Sequence, residues 1–168
     1  MFQCGERVMY GIHGVCTILC LEDRVIDRKK VAYYVLEPLS QLGARFYVPV
    51  YNEAAVAKMR PVLSKEDLEA ILNSPESYAD TWIVDENLRK QRYKELIGSG
   101  DRIALISMVR TLCKQRNQCM EEGKKFHLCD DNFLRDAKKL LSTEISLVFC
   151  LDGEQLNEYL RQVLENEL

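Results

Sequence analysis

Residues 15–21 read Val-Cys-Thr-Ile-Leu-Cys-Leu, a run of apolar and β-branched side chains without glycine, proline or charge. Similar runs follow at residues 31–36 and 46–50, and the turn-forming residues 40–43, Ser-Gln-Leu-Gly, separate those two. Side chains in each run alternate with a period near two, and both faces are fairly apolar. This pattern predicts short strands curled into a small SH3-like or Tudor-like β-barrel. Pro49 favours an edge position for the last of these strands.

The period changes from two to that of a helix after Pro61. Residues able to cap a helix stand at the start of each helical run: Ser64, Asp85, Asp101, Asp130 or Asp131, and Asp152, which forms a capping-box pattern with Gln155. The apolar residues predicted to face inward are Leu105, Met108, Val109 and Leu112, then Phe133, Leu134, Ala137, Leu140 and Leu141, and finally Leu156, Leu160, Val163 and Leu164. The fold class is therefore predicted to be α+β, with a β domain at residues 1–60 and an all-α domain at residues 61–168.

The composition is that of an ordinary folded domain, with 47% apolar and 29% charged residues in 168. Apolar runs stay well short of the roughly 20 residues that span a bilayer, which predicts no membrane partner. The first residues lack the basic-then-apolar order of a signal peptide, so a cytoplasmic protein is expected. In a reducing compartment the seven scattered cysteines are most simply apolar fillers, and Cys16 and Cys20 share one face of their strand.

Catalytic and metal-binding patterns are missing from the sequence. The two histidines, His13 and His127, lie in no nucleophile motif, and Gly98-Ser99-Gly100 is too short for a phosphate-binding loop. No Cys-x-x-Cys pair or zinc-ribbon spacing occurs. We therefore expect a protein that is not an enzyme, without a metal, a cofactor or a small-molecule substrate.

Charge is distributed unevenly around the only tryptophan, Trp82. Residues 89–139 carry 13 lysines and arginines against 7 acidic residues, whereas residues 61–88 carry 1 against 7 and residues 140–168 carry 1 against 6. The candidate phosphate contacts nearest the ring in sequence are Arg89, Lys90, Arg92 and Lys94.

A flat ring beside clustered cations suits nucleic acid, because the ring can wedge against base steps while the cations hold phosphates. The same residues also suit a core tryptophan beneath a solvated helix. A sequence pI near 5.5 predicts weak DNA binding unless another contact tethers the protein there.

An ordered set of motifs resembles the CarD/CdnL family, which is similar to the polymerase-interacting domain of transcription-repair coupling factor. The N-terminal motifs are Val8-Met-Tyr-Gly-Ile-His-Gly-Val15 and Phe46-Tyr-Val-Pro49 followed by Asn52. The C-terminal ones are Trp82, Arg92-Tyr-Lys94, Ser99-Gly-Asp101, Val109-Arg-Thr-Leu112 and Ala137-Lys-Lys-Leu-Leu141. Each motif alone is weak, but together they span nearly the whole chain in the family's order.

The resemblance implies a bacterial transcription regulator with two contact surfaces. A Tudor-like N-terminal domain would dock on the β subunit of RNA polymerase. The helical domain would meet promoter DNA at the upstream edge of the melted region, with weak and largely sequence-independent contacts. There the family's tryptophan, matched by Trp82, wedges into the minor groove and prolongs the open complex. Tethering by polymerase would compensate for the low net basicity of the chain.

Individual positions follow from the same resemblance. Arg24 falls where the family has a polymerase-contacting arginine, and a second such arginine falls on Tyr47. Arg45, two residues earlier, is the candidate substitute because it would project from the same strand face. Lys94 matches a basic position that contacts DNA. Gly11 stands where many relatives have proline.

Other basic positions of the family fall on acidic residues here: Asp130, Asp131 and Asp136. This departure puts the DNA footprint in doubt, and Lys124 and Lys125 are the nearest candidates to compensate. The departure and the acidic blocks also favour an alternative function. In that alternative the chain is a protein-only adaptor whose helical domain binds another protein rather than DNA.

Overall fold

The structure, a computed structural model, describes residues 2–165. It divides into two compact units, Met1–Val62 and Leu63–Leu168, called here the β unit and the helical unit. The chain is α+β, as predicted, with an antiparallel sheet in the first unit and helices in the second. None of the described helices combines the length and the apolar character needed to span a bilayer.

The sheet of the β unit has five strands among the described residues. These are β1 (Arg7–Tyr10), β2 (Val15–Ile26), β3 (Lys29–Pro38), β4 (Phe46–Pro49) and β5 (Met59–Pro61), in the spatial order β4-β3-β2-β1-β5. The end strands β4 and β5 are not paired with each other, so the sheet is open and the predicted barrel closure is not confirmed. Pro49 lies in an edge strand, where its missing N–H leaves no gap in a ladder.

One side of this sheet carries the core of the β unit. Its buried members are Val8, Cys16, Ile18, Tyr34, Leu36, Val48 and Met59. The helix α1 (Glu53–Val56), capped by the Asn52 side chain, supplies Ala55 and Val56 to the same cluster.

A register shift in β2 corrects the expected placement of Cys20. Cys16 is buried, whereas Cys20 is exposed. The ladder with β3 runs Ile18 to Leu36 and then Cys20 to Val35, so one residue of β2 is extra. Because side chains alternate across a strand, an extra residue moves every later side chain to the opposite face. The two cysteines therefore do not share a face.

The helical unit comprises α2 (Lys65–Leu72), α3 (Glu86–Ser99), α4 (Arg102–Glu121), α5 (Leu128–Phe149) and α6 (Gly153–Leu160), followed by a π-helical turn at Arg161–Glu165. Three predicted caps are confirmed: the side chains of Ser64, Asp85 and Asp101 each accept a backbone N–H from the first turn of their helix. The predicted inward faces of α4 and α5 are buried in one core. That core also includes Leu68, Leu72, Tyr93 and Leu164.

The remaining predicted caps differ from each other: the cap predicted for α5 is wrong, whereas the cap predicted for α6 is correct in position but lacks the side-chain hydrogen bond. Helix α5 begins at Leu128, with His127 before it, so Asp130 and Asp131 lie in its first turn instead of capping it. Carboxylates are favourable there because they face the positive end of the helix dipole. Asp152 precedes α6, but its side chain makes no capping hydrogen bond.

A buried ion pair fixes the first residue of the helical unit. Glu144 of α5 is 1% exposed and accepts two hydrogen bonds from the Arg102 guanidinium, at 2.7 and 2.8 Å. One of its oxygens also accepts the N–H of Leu63 at 3.1 Å. The start of the unit is thereby joined to α4 and α5.

Candidate functional site

Trp82 lies in an irregular segment between a 3₁₀ turn at Pro75–Tyr78 and the start of α3. The indole is half-buried and packs against the helical core. It is therefore neither sealed inside the unit nor fully presented to solvent. The sequence suits either a ring that wedges against DNA or a core tryptophan beneath a solvated helix, and each interpretation describes part of this environment.

The backbone around Trp82 is held by side chains of its own segment and of two helices. The N–H of Trp82 donates to Asp80 Oδ1 at 2.8 Å, and the N–H of Thr81 donates to Thr111 Oγ1 at 3.0 Å. The hydroxyl of Tyr93, a fully buried residue of α3, donates to the Thr81 carbonyl at 3.4 Å. These contacts fix the main chain next to the ring.

Arg89 is not the surface cation that the sequence predicts. It is 3% exposed, and its guanidinium carbon lies 4.2 Å from the centroid of the Trp82 ring. Its Nε and Nη2 donate to the two oxygens of Asp130 at 2.9 and 2.8 Å. Its Nη1 donates to the carbonyls of Ile83 and Val84 at 2.7 and 3.3 Å. Because these donors bind groups inside the helical unit, Arg89 is no longer a candidate for contacting phosphate.

Asp130 is the residue whose environment in the structure differs most from the one that the sequence predicts. It is 1% exposed and points to Arg89, so its acidic charge is neutralised inside the unit. The hydrogen bonds from Arg89 to Asp130 raise the pKa of the guanidinium, which stays charged. Removing one partner of a buried pair typically costs about 3–5 kcal/mol, because the other charge is left without compensation. The two residues are 41 positions apart, and no local pattern links them.

The other predicted cations remain on the surface. Three of them pair with a nearby glutamate: Lys90 with Glu86 at 2.5 Å, Arg92 with Glu95 at 3.5 Å and Lys124 with Glu122 at 2.6 Å. Exposed pairs of this kind are worth only about 0–1 kcal/mol, so a phosphate could replace the glutamate at little cost. Lys94 and Lys125 are exposed and form no ion pair with any residue in the range 2–165.

Two of the three acidic departures stay on the surface of α5. Asp131 and Asp136 are exposed, and Asp136 lies 3.8 Å from the Arg135 guanidinium. A phosphate approaching this part of α5 would meet these carboxylates. The resemblance implies basic residues at the positions of all three aspartates. Only Asp131 and Asp136 place an acidic side chain on the surface instead, since Asp130 is internal.

A second candidate site lies on the β unit, where Arg24 and Tyr47 meet. The guanidinium carbon of Arg24 is 3.7 Å from the centroid of the Tyr47 ring. Tyr33, from the strand between them, packs edge-on against Tyr47 at 6.5 Å. Arg24 Nε also donates to Glu22 Oε1 at 2.8 Å. The resemblance implicates Arg24 and Tyr47 separately, but the two lie together in one cluster on the sheet, in which Arg24 is exposed and Tyr47 is half-buried.

Arg45 stands apart from this cluster in the structure. It is exposed, precedes β4 by one residue and has no hydrogen bond or ion pair with another described residue. Because Arg45 lies outside β4, the alternation of side chains in that strand does not determine where the Arg45 side chain points. Its charge is nevertheless available to a partner.

The described residues offer no group of three or more His, Cys, Asp or Glu side chains that could hold a metal ion. His13 packs against Phe46 with the rings tilted and their centroids 3.9 Å apart, and it stacks on Tyr10 at 5.7 Å. Burial lowers the pKa of His13. This histidine thus packs in an aromatic stack.

Comparison with known proteins agrees with the resemblance read from the motifs. Residues 2–63 match the family model described as the CarD-like/TRCF RID domain. The Bacillus subtilis (strain 168) protein named "Putative transcription factor YdeB" is 23% identical over 162 residues, covering 95% of this chain and 99% of that protein. The β unit therefore carries a CarD-like/TRCF RID domain, and the chain as a whole is similar to a protein named as a putative transcription factor.

Proposed function

We propose that this chain is a transcription regulator that bridges RNA polymerase and promoter DNA. Its β unit, a Tudor-like domain in this proposal, binds the polymerase β subunit. Its helical unit places Trp82 and a lysine-bearing surface at the upstream edge of the melted DNA and stabilises the open complex. The CarD-like/TRCF RID domain of the β unit and the similarity of the chain to a putative transcription factor support the general role.

The observation that carries the proposal is the half-buried ring of Trp82, which is not sealed in the core, on a segment whose backbone is fixed. A ring can prolong the open complex only if it contacts forked DNA better than closed duplex. A fixed and accessible ring would make such a contact at low entropic cost, because the segment does not have to order on binding. A sealed ring could not reach DNA at all.

The cations support a weak and sequence-independent DNA contact. Lys94 and Lys125 are free of ion pairs within residues 2–165, and Lys90, Arg92 and Lys124 sit in exposed pairs that exchange readily. Phosphate contacts of this kind position a protein without reading sequence. With a net charge of −3, the chain needs a tether to act at a promoter.

The test is the lifetime of promoter open complexes in the presence of the Trp82→Ala variant. We expect a shorter lifetime on several promoters, with polymerase binding unchanged. Val84→Ala is a matched control, since Val84 is 87% exposed and lies two residues from the ring. An unchanged lifetime with Trp82→Ala, or an equal loss with Val84→Ala, contradicts the wedge.

A protein-only adaptor is the second candidate, and exposed apolar side chains on the helical unit favour it. Val84, Leu88 and Leu128 are all more than half exposed. Exposed apolar side chains mark an interaction surface where they form a contiguous patch. Titration of the free protein with forked promoter DNA at low salt distinguishes the two functions through Trp82 fluorescence. No change in emission and no measurable affinity there would favour the adaptor.

A further inference from the structure

We propose that Arg89 and Asp130 are positioning residues for Trp82, holding the indole in the orientation in which it meets its partner. The inference rests on the proposed function, because it concerns the same ring. It adds two interior residues, neither of which contacts DNA in the proposal.

One guanidinium joins three parts of the helical unit. The guanidinium carbon of Arg89 lies over the Trp82 ring, its Nη1 donates to the carbonyls of Ile83 and Val84, and its Nε and Nη2 donate to Asp130. The ring, the backbone that follows it and the first turn of α5 therefore share a single anchor. A planar fork can make all of these contacts at once, whereas a lysine ammonium cannot.

The hydrogen bonds to neighbouring residues fix the backbone of Trp82 but leave its side chain to other contacts. Asp80 and Thr111 bind main-chain N–H groups. The indole itself is oriented by the core on which it packs and by the Arg89 guanidinium. Loss of the guanidinium plane would leave the main chain in place and free the ring to take other rotamers.

Stability alone does not account for a buried ion pair at this place. Well-packed apolar residues often replace such pairs without loss of stability, so a pair is better explained where its directional hydrogen bonds set a geometry. Here the direction is defined, since Asp130 accepts from Nε and Nη2 and so fixes the guanidinium plane that lies over the ring. Asp130 thus acts on Trp82 through Arg89.

The unit contains a matched control for the ion pair. Glu144 is a buried carboxylate of the same helix α5, bound by two nitrogens of Arg102 and by the N–H of Leu63 rather than by the anchor of Trp82. Glu144→Gln and Asp130→Asn therefore remove equivalent charges, and only the second acts on the anchor of the ring. Arg89→Lys is a second test variant, which keeps the charge and loses the fork.

The measurement is acrylamide quenching of Trp82, the sole tryptophan, in the full chain, beside a thermal melt and the open-complex lifetime. We expect Asp130→Asn and Arg89→Lys to increase the population with a displaced ring about fivefold, because neither variant holds a guanidinium plane in place against the ring. Quenching should rise and the open-complex lifetime should fall in both variants. Glu144→Gln should lower the melting temperature while Trp82 stays protected.

The outcomes separate this inference from the proposed function. Parent-like quenching in folded Asp130→Asn and Arg89→Lys overturns the inference, and so does equal exposure of Trp82 in Glu144→Gln. If one test variant does not fold, the other decides. If Trp82→Ala leaves the open complex unchanged, the proposed function fails, whereas the quenching data still show whether Arg89 and Asp130 orient the ring.

Discussion

Cys16 shows how burial sets the chemistry of a single side chain. It is fully buried in the β unit, and burial raises the pKa of its thiol to about 11 from the ordinary value of 9.0. The folded state therefore disfavours the thiolate, while the unfolded chain ionises near pH 9. The stability due to the neutral thiol is complete below pH 9 and is lost as the pH rises through 11.

We expect the β unit to lose up to about 2 kcal/mol of unfolding free energy between pH 9 and 11 through this one group. Urea unfolding of the parent and of Cys16→Ala is measured across that pH range. The difference between the two proteins in the slope of unfolding free energy against pH is the contribution of the Cys16 thiol. Cys20→Ala is the control, because Cys20 is exposed. If Cys16→Ala keeps the alkaline loss of the parent, burial of the thiol is not its cause.

Arg24 is the residue on which the proposed polymerase contact depends most. Its guanidinium is stacked on Tyr47 and presented on the exposed face of β2. We expect Arg24→Glu to weaken binding of the chain to polymerase by about tenfold or more, since a charged anchor at the centre of an interface is often worth over 1 kcal/mol.

Lys30→Glu provides the matched control for that charge reversal. Lys30 lies on the same hairpin, but it pairs with Asp23 on the opposite face of the sheet. A binding measurement by fluorescence anisotropy or pull-down should show near-parent affinity for this variant. Equal losses in the two variants would indicate a general charge effect rather than a docking face.

At the scale of elements, the helix caps differ in ways that stability measurements can detect. The Asp85 side chain accepts the N–H of Leu88 at 2.8 Å at the start of α3, whereas the Asp152 side chain caps nothing at the start of α6. We expect Asp85→Ala to cost about 1 kcal/mol and Asp152→Ala less than about 0.5 kcal/mol. Urea unfolding of the two variants checks this, and a larger loss for Asp152→Ala would contradict the assignment of the caps.

The sequence predicted those elements whose signals are local. Helices α2, α3 and α4 begin where Ser64, Asp85 and Asp101 predict, because capping depends on residues three positions apart. The start of α5 was missed for the opposite reason. Asp130 resembles a cap in sequence, but its partner is Arg89, which tertiary packing brings to it.

The sheet and the candidate site show the same division between local and long-range signals. Alternation predicted strands, but the extra residue in β2 and the open edges at β4 and β5 depend on pairing between strands. For Trp82, the ring and its basic neighbours were visible in the sequence. The burial of Arg89 was not, because it follows from how α3 packs on α5.

At the scale of the whole molecule, the two units have separate cores and separate candidate contacts. The β unit is organised around its sheet, and the helical unit around α3, α4 and α5. With a net charge of −3, the chain is a poor free ligand for DNA. Its proposed activity therefore requires that both units be present in one chain, since binding of one unit to polymerase raises the local concentration of the other at the promoter.

A protease site inserted between Val62 and Leu63 tests this requirement. The insertion falls at the boundary between the units and follows β5, so the sheet keeps its last strand. Before cleavage the inserted protein should prolong open complexes as the parent does, which is the control for the insertion. After cleavage, polymerase should still retain the β unit, but the lifetime should fall to that without the protein. Millimolar helical unit should restore it, since short flexible linkers give effective concentrations on the order of 1 mM. If equimolar cleaved units act as well as the intact chain, tethering is not how this protein reaches the promoter.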